Sequence, residues 1–399
     1  MTSNTRMRRL LGAATAVALA TTMAACSSSS TTATSPTSSA PAVAGGSSSA
    51  PAPAPAPASS AAVSGSSAAS APASSSASAS GSSSAPAGGK IKSGLKVYFI
   101  PRDTQNPYEV LADAGGTAAL KELGGTVVVS SGSTATAAAE IPSIQAAIQA
   151  HADAIVIAGN DPTALCPSLA QAVAAGIKVV SFDSDVTCPD HLFINQADTQ
   201  QIGTSEVDLL AKQIGSTGDI AILSAAATAT NQNAWIGYMK QQLAAKYPNM
   251  HLVSTVYGND DPATSLTVLQ GLISAYPNLK GIISPTTVGI STAAQYLSTH
   301  KNVKITLTGL GLPSQMKPYI KDGTVKAFEL WNPSDLGYLA GYAAASLASG
   351  ITTTATGAKF SAGKLKDYTV LAPSGTTGPS VVLGPPTVFD SSNIDQFNF

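Results

Sequence analysis

Residues 95–123 read LKVYFIPRDTQNPYEVLADAGGTAALKEL, and their pattern changes midway. Leu95–Ile100 is a short apolar run broken only by Lys96, which suits a strand covered on both faces. Pro101–Asn106 carries the Pro, Asp and Asn of a turn. Pro107 then stands where a first helical residue needs no N–H, and Tyr108–Leu123 has the composition of a helix.

The same unit returns along the chain. Short runs at Thr126–Ser130, Ala154–Ala158, Ile177–Phe182, Leu192–Asn195, Ile220–Leu223, Leu252–Val256, Gly281–Ser284, Lys304–Leu307 and Val325–Leu330 follow the first. Helical stretches such as Pro162–Ala175, Asn231–Lys246, Pro262–Ala275 and Ser334–Ala348 lie between or after them. Strands alternating with helices predict an α/β protein with parallel sheets. Ten strands exceed one comfortable doubly wound sheet, so two lobes are expected, with a break near Gln196–Thr199. The last long helix and the tail after it cross back between them.

Upstream of this region the composition is different. Residues 1–89 contain no Phe, Trp, Tyr, Asp, Glu or Lys, and their charges are Arg6, Arg8 and Arg9. Those arginines precede an apolar stretch, Leu10–Ala20, too short to span a bilayer. Met23-Ala24-Ala25-Cys26 and the serines that follow resemble a bacterial lipobox; the plainer alternative is a cleavable signal with an incidental cysteine. The expectation is a signal peptide over 1–25, lipidation at Cys26, and a disordered Ser/Ala/Pro-rich tether over 26–89. Such a protein is exported and held on the outer face of the cytoplasmic membrane, touching it only through the lipid.

The remaining 310 residues carry 18 basic and 22 acidic side chains, a net charge of −4. That balance argues against a nucleic-acid partner, which needs a basic face. No Gly-x-Ser-x-Gly elbow, Walker loop, His-Glu-x-x-His or Cys-x-x-Cys occurs, so neither an enzyme, a metal site nor a cofactor is expected. Acid pairs such as Asp260-Asp261 or Asp183/Asp185 leave a secreted carbohydrate-active enzyme as the rival from another class. His151, His191, His251 and His300 fall at helix ends or in turns and read as surface residues. Cys166 and Cys188 follow neighbouring strands in an oxidising compartment, which points to a disulfide between them, the alternative being two buried thiols.

In parallel sheets, ligands sit beyond the carboxyl ends of the strands. The residues found there include Arg102 and Tyr108, Asp183 and Asp185, Asn231, Gln232 and Trp235, Pro285 and Thr287, Leu310, Trp331 and Asn332. Planar carboxylate, amide and guanidinium groups hold adjacent hydroxyls with two contacts each, and an aromatic ring covers the C–H face of a sugar. Each also has a plainer reading: Asp183 and Asp185 as a turn or cap, Trp235 as core, Arg102 as a surface ion pair.

These segments resemble a known family. VYFIPR (97–102), NPYEV (106–110), FDSD (182–185), FINQ (193–196), TATNQNAW (228–235), SPTTVGI (284–290), TGLGLPSQM (308–316), ELWNPSDLGYLAGY (329–342) and VVLGPPTVFD (381–390) are similar to the sugar-binding proteins of ABC importers, of the ribose-binding type. Within that type they look most like rhamnose-binding proteins and the related autoinducer-2-binding proteins. The resemblance implies a type I periplasmic-binding-protein fold: two doubly wound parallel-sheet lobes joined by three crossings. The lobes are expected over 90–197 plus 333–360 and over 198–332 plus 361–399, with hinges near Gln196–Thr199, Trp331–Pro333 and Gly357–Lys364. It implies a monomeric receptor that closes on one monosaccharide and delivers it to an ABC permease. Arg102, Tyr108, Asp183, Asn231, Gln232, Pro285, Thr287 and Asn332 are expected to line the ligand, with Trp235, Leu310 and Trp331 completing the set. The autoinducer-2 pattern has aspartate, lysine and aspartate where this chain has Asn231, Arg102 and Asn332, which favours a neutral deoxyhexose, best rhamnose. Autoinducer-2 or a pentose is the alternative.

Overall fold

The computed structural model describes residues 89–374 and 376–399. The expected signal peptide, Cys26 and nearly all of the tether lie outside the described residues. The first lobe opens with β1 (Lys96–Ile100), α1 (Pro107–Glu122), β2 (Thr126–Val129), α2 (Ala137–Gln149), β3 (Ala154–Ile157), α3 (Cys166–Ala174), β4 (Lys178–Phe182) and β5 (His191–Asn195). The chain then crosses to the second lobe: α4 (Thr199–Ile214), β6 (Gly218–Ser224), α5 (Thr230–Lys246), β7 (Met250–Tyr257), α6 (Pro262–Ala275), β8 (Leu279–Ser284), α7 (Thr287–Thr299), β9 (Thr306–Gly309), α8 (Pro313–Lys321) and β10 (Ala327–Leu330). Five elements complete the chain: α9 (Pro333–Ala348), β11 (Lys359–Ser361), β12 (Asp367–Thr369), β13 (Ser380–Val382) and β14 (Thr387–Asp390).

The first sheet has the order β13-β5-β4-β3-β1-β2 and the second β7-β6-β8-β9. Every pairing within both is parallel. β1, β3 and β4 are buried along nearly their whole length, as runs covered on both faces by helices must be. All ten expected strands form.

The tail does not divide as expected. β13 joins the first sheet beside β5, and α9 packs on α1, β3 and β4 with the β11–β12 hairpin against it. Only from Thr387 onward does the chain rejoin the second lobe, where β14 pairs antiparallel with β10. The assignment of 361–399 to the second lobe is therefore corrected: residues 361–382 belong to the first. The third crossing lies at 383–386, not near Gly357–Lys364. Strands of three residues have no period to read, and they form because a neighbouring edge offers its N–H and C=O groups.

Packing of α9 on α1 sets the geometry of the site. A side chain at Gly115 would collide with the backbone of Ser334, and one at Gly337 with the backbone of Ala112. Without Cβ atoms the two helices meet backbone to backbone, and Ser334 donates its hydroxyl to the carbonyl of Leu111 (3.1 Å). This brings Trp331, at the second crossing, against Tyr108 in the first turn of α1. In the loop after β3, Asp161 accepts from the N–H groups of Thr163 and Ala164, so α3 starts only at Cys166 and not at Pro162. A disulfide joins Cys166 to Cys188, with Cα atoms 5.1 Å apart. The two cysteines are 22 residues apart in sequence, and closing such a loop stabilises by about 3 kcal/mol, through loss of freedom in the unfolded chain.

His191 is not a surface residue. It is buried in β5, its ring nitrogens 2.8 Å from Asp185 Oδ1 and 2.6 Å from the carbonyl of Cys188. The loop that supplies both partners lies between β4 and β5, and neither partner is legible from the histidine itself. The other three histidines are exposed.

Candidate functional site

A cleft lies beyond the carboxyl ends of the strands, between the two sheets. Parallel strands deliver its residues together: Arg102 follows β1, Asp183 follows β4, Pro285 follows β8, Leu310 follows β9 and Trp331 follows β10. Tyr108 enters from α1, whose start is fixed by two caps. Asp103 Oδ1 accepts from the N–H groups of Gln105 and Asn106, and Asn106 Oδ1 accepts from that of Tyr108.

Asp183 is the centre of the polar network. Tyr108 donates its hydroxyl to Asp183 Oδ1 (2.8 Å) and receives the indole N–H of Trp331 (2.7 Å). From the second lobe, Asn231 Nδ2 lies 3.2 Å from Asp183 Oδ2. Asp183 adopts φ +58°, an uncommon backbone conformation for a residue with a side chain and one that clusters at functional sites. Burial pushes its carboxyl up from the ordinary range, against the opposing pull of the Arg102 charge and the Tyr108 hydroxyl. Burial and then the Asp183 charge raise the Tyr108 phenol well above 10, so it stays a donor.

Arg102 lies at the opposite end. Its Nε donates to Asn160 Oδ1 (3.2 Å), and Nη1 pairs with Asp260 across the cleft (3.2 Å). Burial alone would lower the pKa of this guanidinium; the charge of Asp260, and after it that of Asp183, outweighs it. Asp260 also accepts from the hydroxyl of Thr286 (2.5 Å) and sits, like Asn259 before it, at positive φ. Gln232 has its oxygen taken by Ser224 (2.6 Å) and by the N–H of Ala225 (2.8 Å), which leaves its amide nitrogen for the cleft. Trp331 lies edge-on to both Tyr108 and Trp235, with ring centres 6.3 and 6.0 Å apart.

Ten of the expected residues line this cleft together: Arg102, Tyr108, Asp183, Asn231, Gln232, Trp235, Pro285, Thr287, Leu310 and Trp331. Asn332 does not. Its side chain caps α9, accepting from the N–H of Ser334 (2.9 Å). Asp185 faces away from Asp183 and holds the C-terminal return. It meets the His191 ring and accepts from Thr377, Ser181 and the N–H of Val186; against the cost of burial, the His191 contact first and then the Thr377 and Ser181 hydroxyls keep its pKa low. Asp261 caps α6 through the N–H of Thr264. Neither acid pair therefore brings two carboxylates to one place as a glycosidase requires.

Asn106, Glu109, Asp260 and Thr286 also line the cleft; the sequence offered Asn106 and Thr286 only as neighbours of expected ligand residues and Asp260 only as half of an acid pair, and it passed over Glu109. Glu109 reads as an ordinary acid in the first turn of a helix and Asp260 as half of an exposed pair. No local signal marks either as buried. Among the described residues, no three His, Cys, Asp or Glu side chains gather as a metal site, and no helix is long and apolar enough to cross a membrane.

Residues 97–352 match the periplasmic binding protein domain model. Among solved structures, the chain is similar to an ABC transporter solute binding protein from Clostridium phytofermentas with bound L-rhamnose. They share 37% identity over 77% of this chain and 98% of that one, with a TM-score of 0.74. It is likewise similar to a sugar ABC transporter protein from Actinomyces odontolyticus, at 42% identity, 77% and 100% coverage and a TM-score of 0.61. LsrB from Clostridium saccharobutylicum in complex with AI-2 follows at 25% identity, 76% and 100% coverage and a TM-score of 0.72. The chain spans 60% and 42% of the lengths of the first two curated relatives it matches.

Proposed function

The chain belongs to the periplasmic binding protein family, whose members bind solutes and are not enzymes, and on that premise we propose that it is the receptor of a sugar ABC importer, with L-rhamnose as its ligand. The observation that carries the reading is the lining of the cleft: one guanidinium, three carboxyls and an amide nitrogen converge on it, and two indoles bound it. That is the equipment for a small neutral polyol, whose hydroxyls need planar two-contact partners and whose C–H face needs an aromatic one. Support for the deoxyhexose comes from the rhamnose-bound neighbour. AI-2 is the second reading, favoured by the likeness to LsrB. Arg102 and Asn231, which stand in the cleft where the autoinducer-2 pattern has lysine and aspartate, weigh against it. Asn332 carries no weight either way, because it caps a helix.

In this reading the sugar contacts both lobes, so it favours the closed form over the open one by the difference in contact, and the permease recognises the closed form. Rearrangement falls at 196–198, 331–332 and 383–386, where the chain passes between the sheets. Lipidation at Cys26 and a tether over 26–89 keep the receptor at the outer face of the membrane, and the protein acts as a monomer.

Calorimetric titration with L-rhamnose, D-ribose and AI-2, on protein unfolded and refolded to remove carried-over ligand, tests this directly. The expected result is 1:1 binding of L-rhamnose, weakened at least about a hundredfold in Asp183→Ala, because buried hydroxyls then lose a charged partner. Tight binding of AI-2 alone would transfer the assignment to the second reading.

A further inference from the structure

Two buried polar atoms in the cleft have no hydrogen-bond partner among the described residues: Oε2 of Glu109 and Nη2 of Arg102. The groups around them are taken. Arg102 spends Nε on Asn160 and Nη1 on Asp260, while Asp183 receives Tyr108 and Asn231. An acid in the first turn of a helix is ordinary, since the helix N-terminus favours negative charge. Glu109, however, is only 1% exposed. A solvated acid would serve the helix equally well without the cost of burial. Unpaired buried donors and acceptors are rare in folded proteins, and two in one cavity call for a common partner.

We propose that Glu109 is a specificity-determining residue which, with the free Nη2 of Arg102, holds a pair of adjacent hydroxyls on the bound monosaccharide. The assignment rests on the sugar reading above and adds to it the feature that the ligand must present there. Nη2 donates to one hydroxyl oxygen, and the neighbouring hydroxyl meets the Glu109 carboxyl. Burial, followed by the charges of Asp183 and Asp113, raises the Glu109 carboxyl well above its usual range and favours the neutral acid. A neutral acid offers both a donor and an acceptor, so a glutamine of the same shape reproduces its contacts.

The test is calorimetry with L-rhamnose, D-ribose and the 2-, 3- and 4-deoxy analogues of L-rhamnose, on the wild-type protein and on Glu109→Leu, Glu109→Asp and Glu109→Gln. L-rhamnose should bind Glu109→Leu about 30-fold more weakly and Glu109→Asp about 10-fold more weakly, with Glu109→Gln within about 3-fold of wild type. One deoxy analogue should bind wild type weakly and lose no further affinity in Glu109→Leu, because the hydroxyl that Glu109 holds is already gone. Should the leucine variant not fold, the aspartate variant gives the same comparison. All three variants within twofold of wild type, or deoxy penalties unchanged between wild type and variants, would overturn the role of Glu109 and leave the sugar reading intact. A wild-type protein that binds neither sugar would overturn both.

Discussion

On the first-lobe wall of the cleft, Arg102, Tyr108 and Asp183 are charged or held in charge-assisted bonds, and Glu109 Oε2 and Arg102 Nη2 are left without a partner; on the second-lobe wall, Asn231, Gln232, Pro285 and Thr287 offer amides, a hydroxyl and apolar surface. Asp260 is the exception in the second lobe, and its charge is spent on reaching across to Arg102. The contrast separates two tasks. Strong, directional groups that choose among hydroxyl patterns are gathered on one wall, where they are already oriented by their neighbours. The other wall supplies shape and a single ionic contact that exists only when the lobes meet.

If this division is right, the two ends of the Arg102–Asp260 pair are not equivalent. Arg102→Met removes a ligand donor and leaves Asp260 without its cation and Asn160 Oδ1 without its donor, so ligand affinity should fall about a hundredfold or more. Asp260→Asn can turn its single oxygen to the guanidinium and its amide nitrogen to the Thr286 hydroxyl, which then accepts, so it loses the charge across the cleft and a fall of about tenfold is expected. The pair is completed by closure. Its loss should therefore register in Kd by calorimetry, while the melting temperature of ligand-free protein moves by no more than about 2 °C. Equal losses from the two substitutions would break the contrast.

Much of this arrangement was legible in the sequence because parallel sheets bring strand ends together whatever lies between them. Arg102, Asp183, Pro285 and Leu310 each follow an apolar run, and locating the runs located the cleft. What was not legible depends on neighbours remote in sequence. Glu109 and Asp260 look like ordinary surface acids in the sequence, and only the assembled cleft shows both lining it. His191 is buried because the Asp185 and Cys188 loop folds over it, and β13 exists only against the edge of β5. Asn332 is different, because the sequence did carry its signal: an Asn before Pro-Ser-Asp is an ordinary N-cap. The family pattern outweighed that cap chemistry.

A smaller effect compares the lobes through pH. Glu140, in the first lobe, gives one carboxylate oxygen to the N–H of Asn160 while burial pushes its pKa to about 8. Glu329, in the second, receives the hydroxyl of Ser205 and is pushed by burial to about 7. In both, the folded state binds a proton more tightly than the unfolded chain, whose glutamates titrate near 4.5. Stability is therefore fullest at the acid end of that interval and is lost as pH rises, through about 7 for Glu329 and about 8 for Glu140. Thermal melts from pH 5 to pH 9 should show the decline. Glu140→Gln should flatten the decline up to about pH 8 and gain about 1–2 kcal/mol there, and Glu329→Gln should flatten it only up to about pH 7. A pH profile unchanged by either substitution would mean that the two acids ionise freely.

The smallest expected effect sharpens the boundary of the site. Asn332 adjoins Trp331, which lines the cleft, yet its Oδ1 is engaged 2.9 Å from the N–H of Ser334 at the start of α9. Asn332→Ala should cost about 1 kcal/mol of stability, the ordinary price of losing an N-cap. Affinity for L-rhamnose should stay within about twofold, since no ligand contact is removed. Asn332→Asp separates the alternatives further, because aspartate caps as well as asparagine and would restore the stability. If the aspartate also moved affinity toward AI-2, position 332 would act on the ligand through the second crossing, and the wall that reads the sugar would extend beyond the first lobe into the hinge.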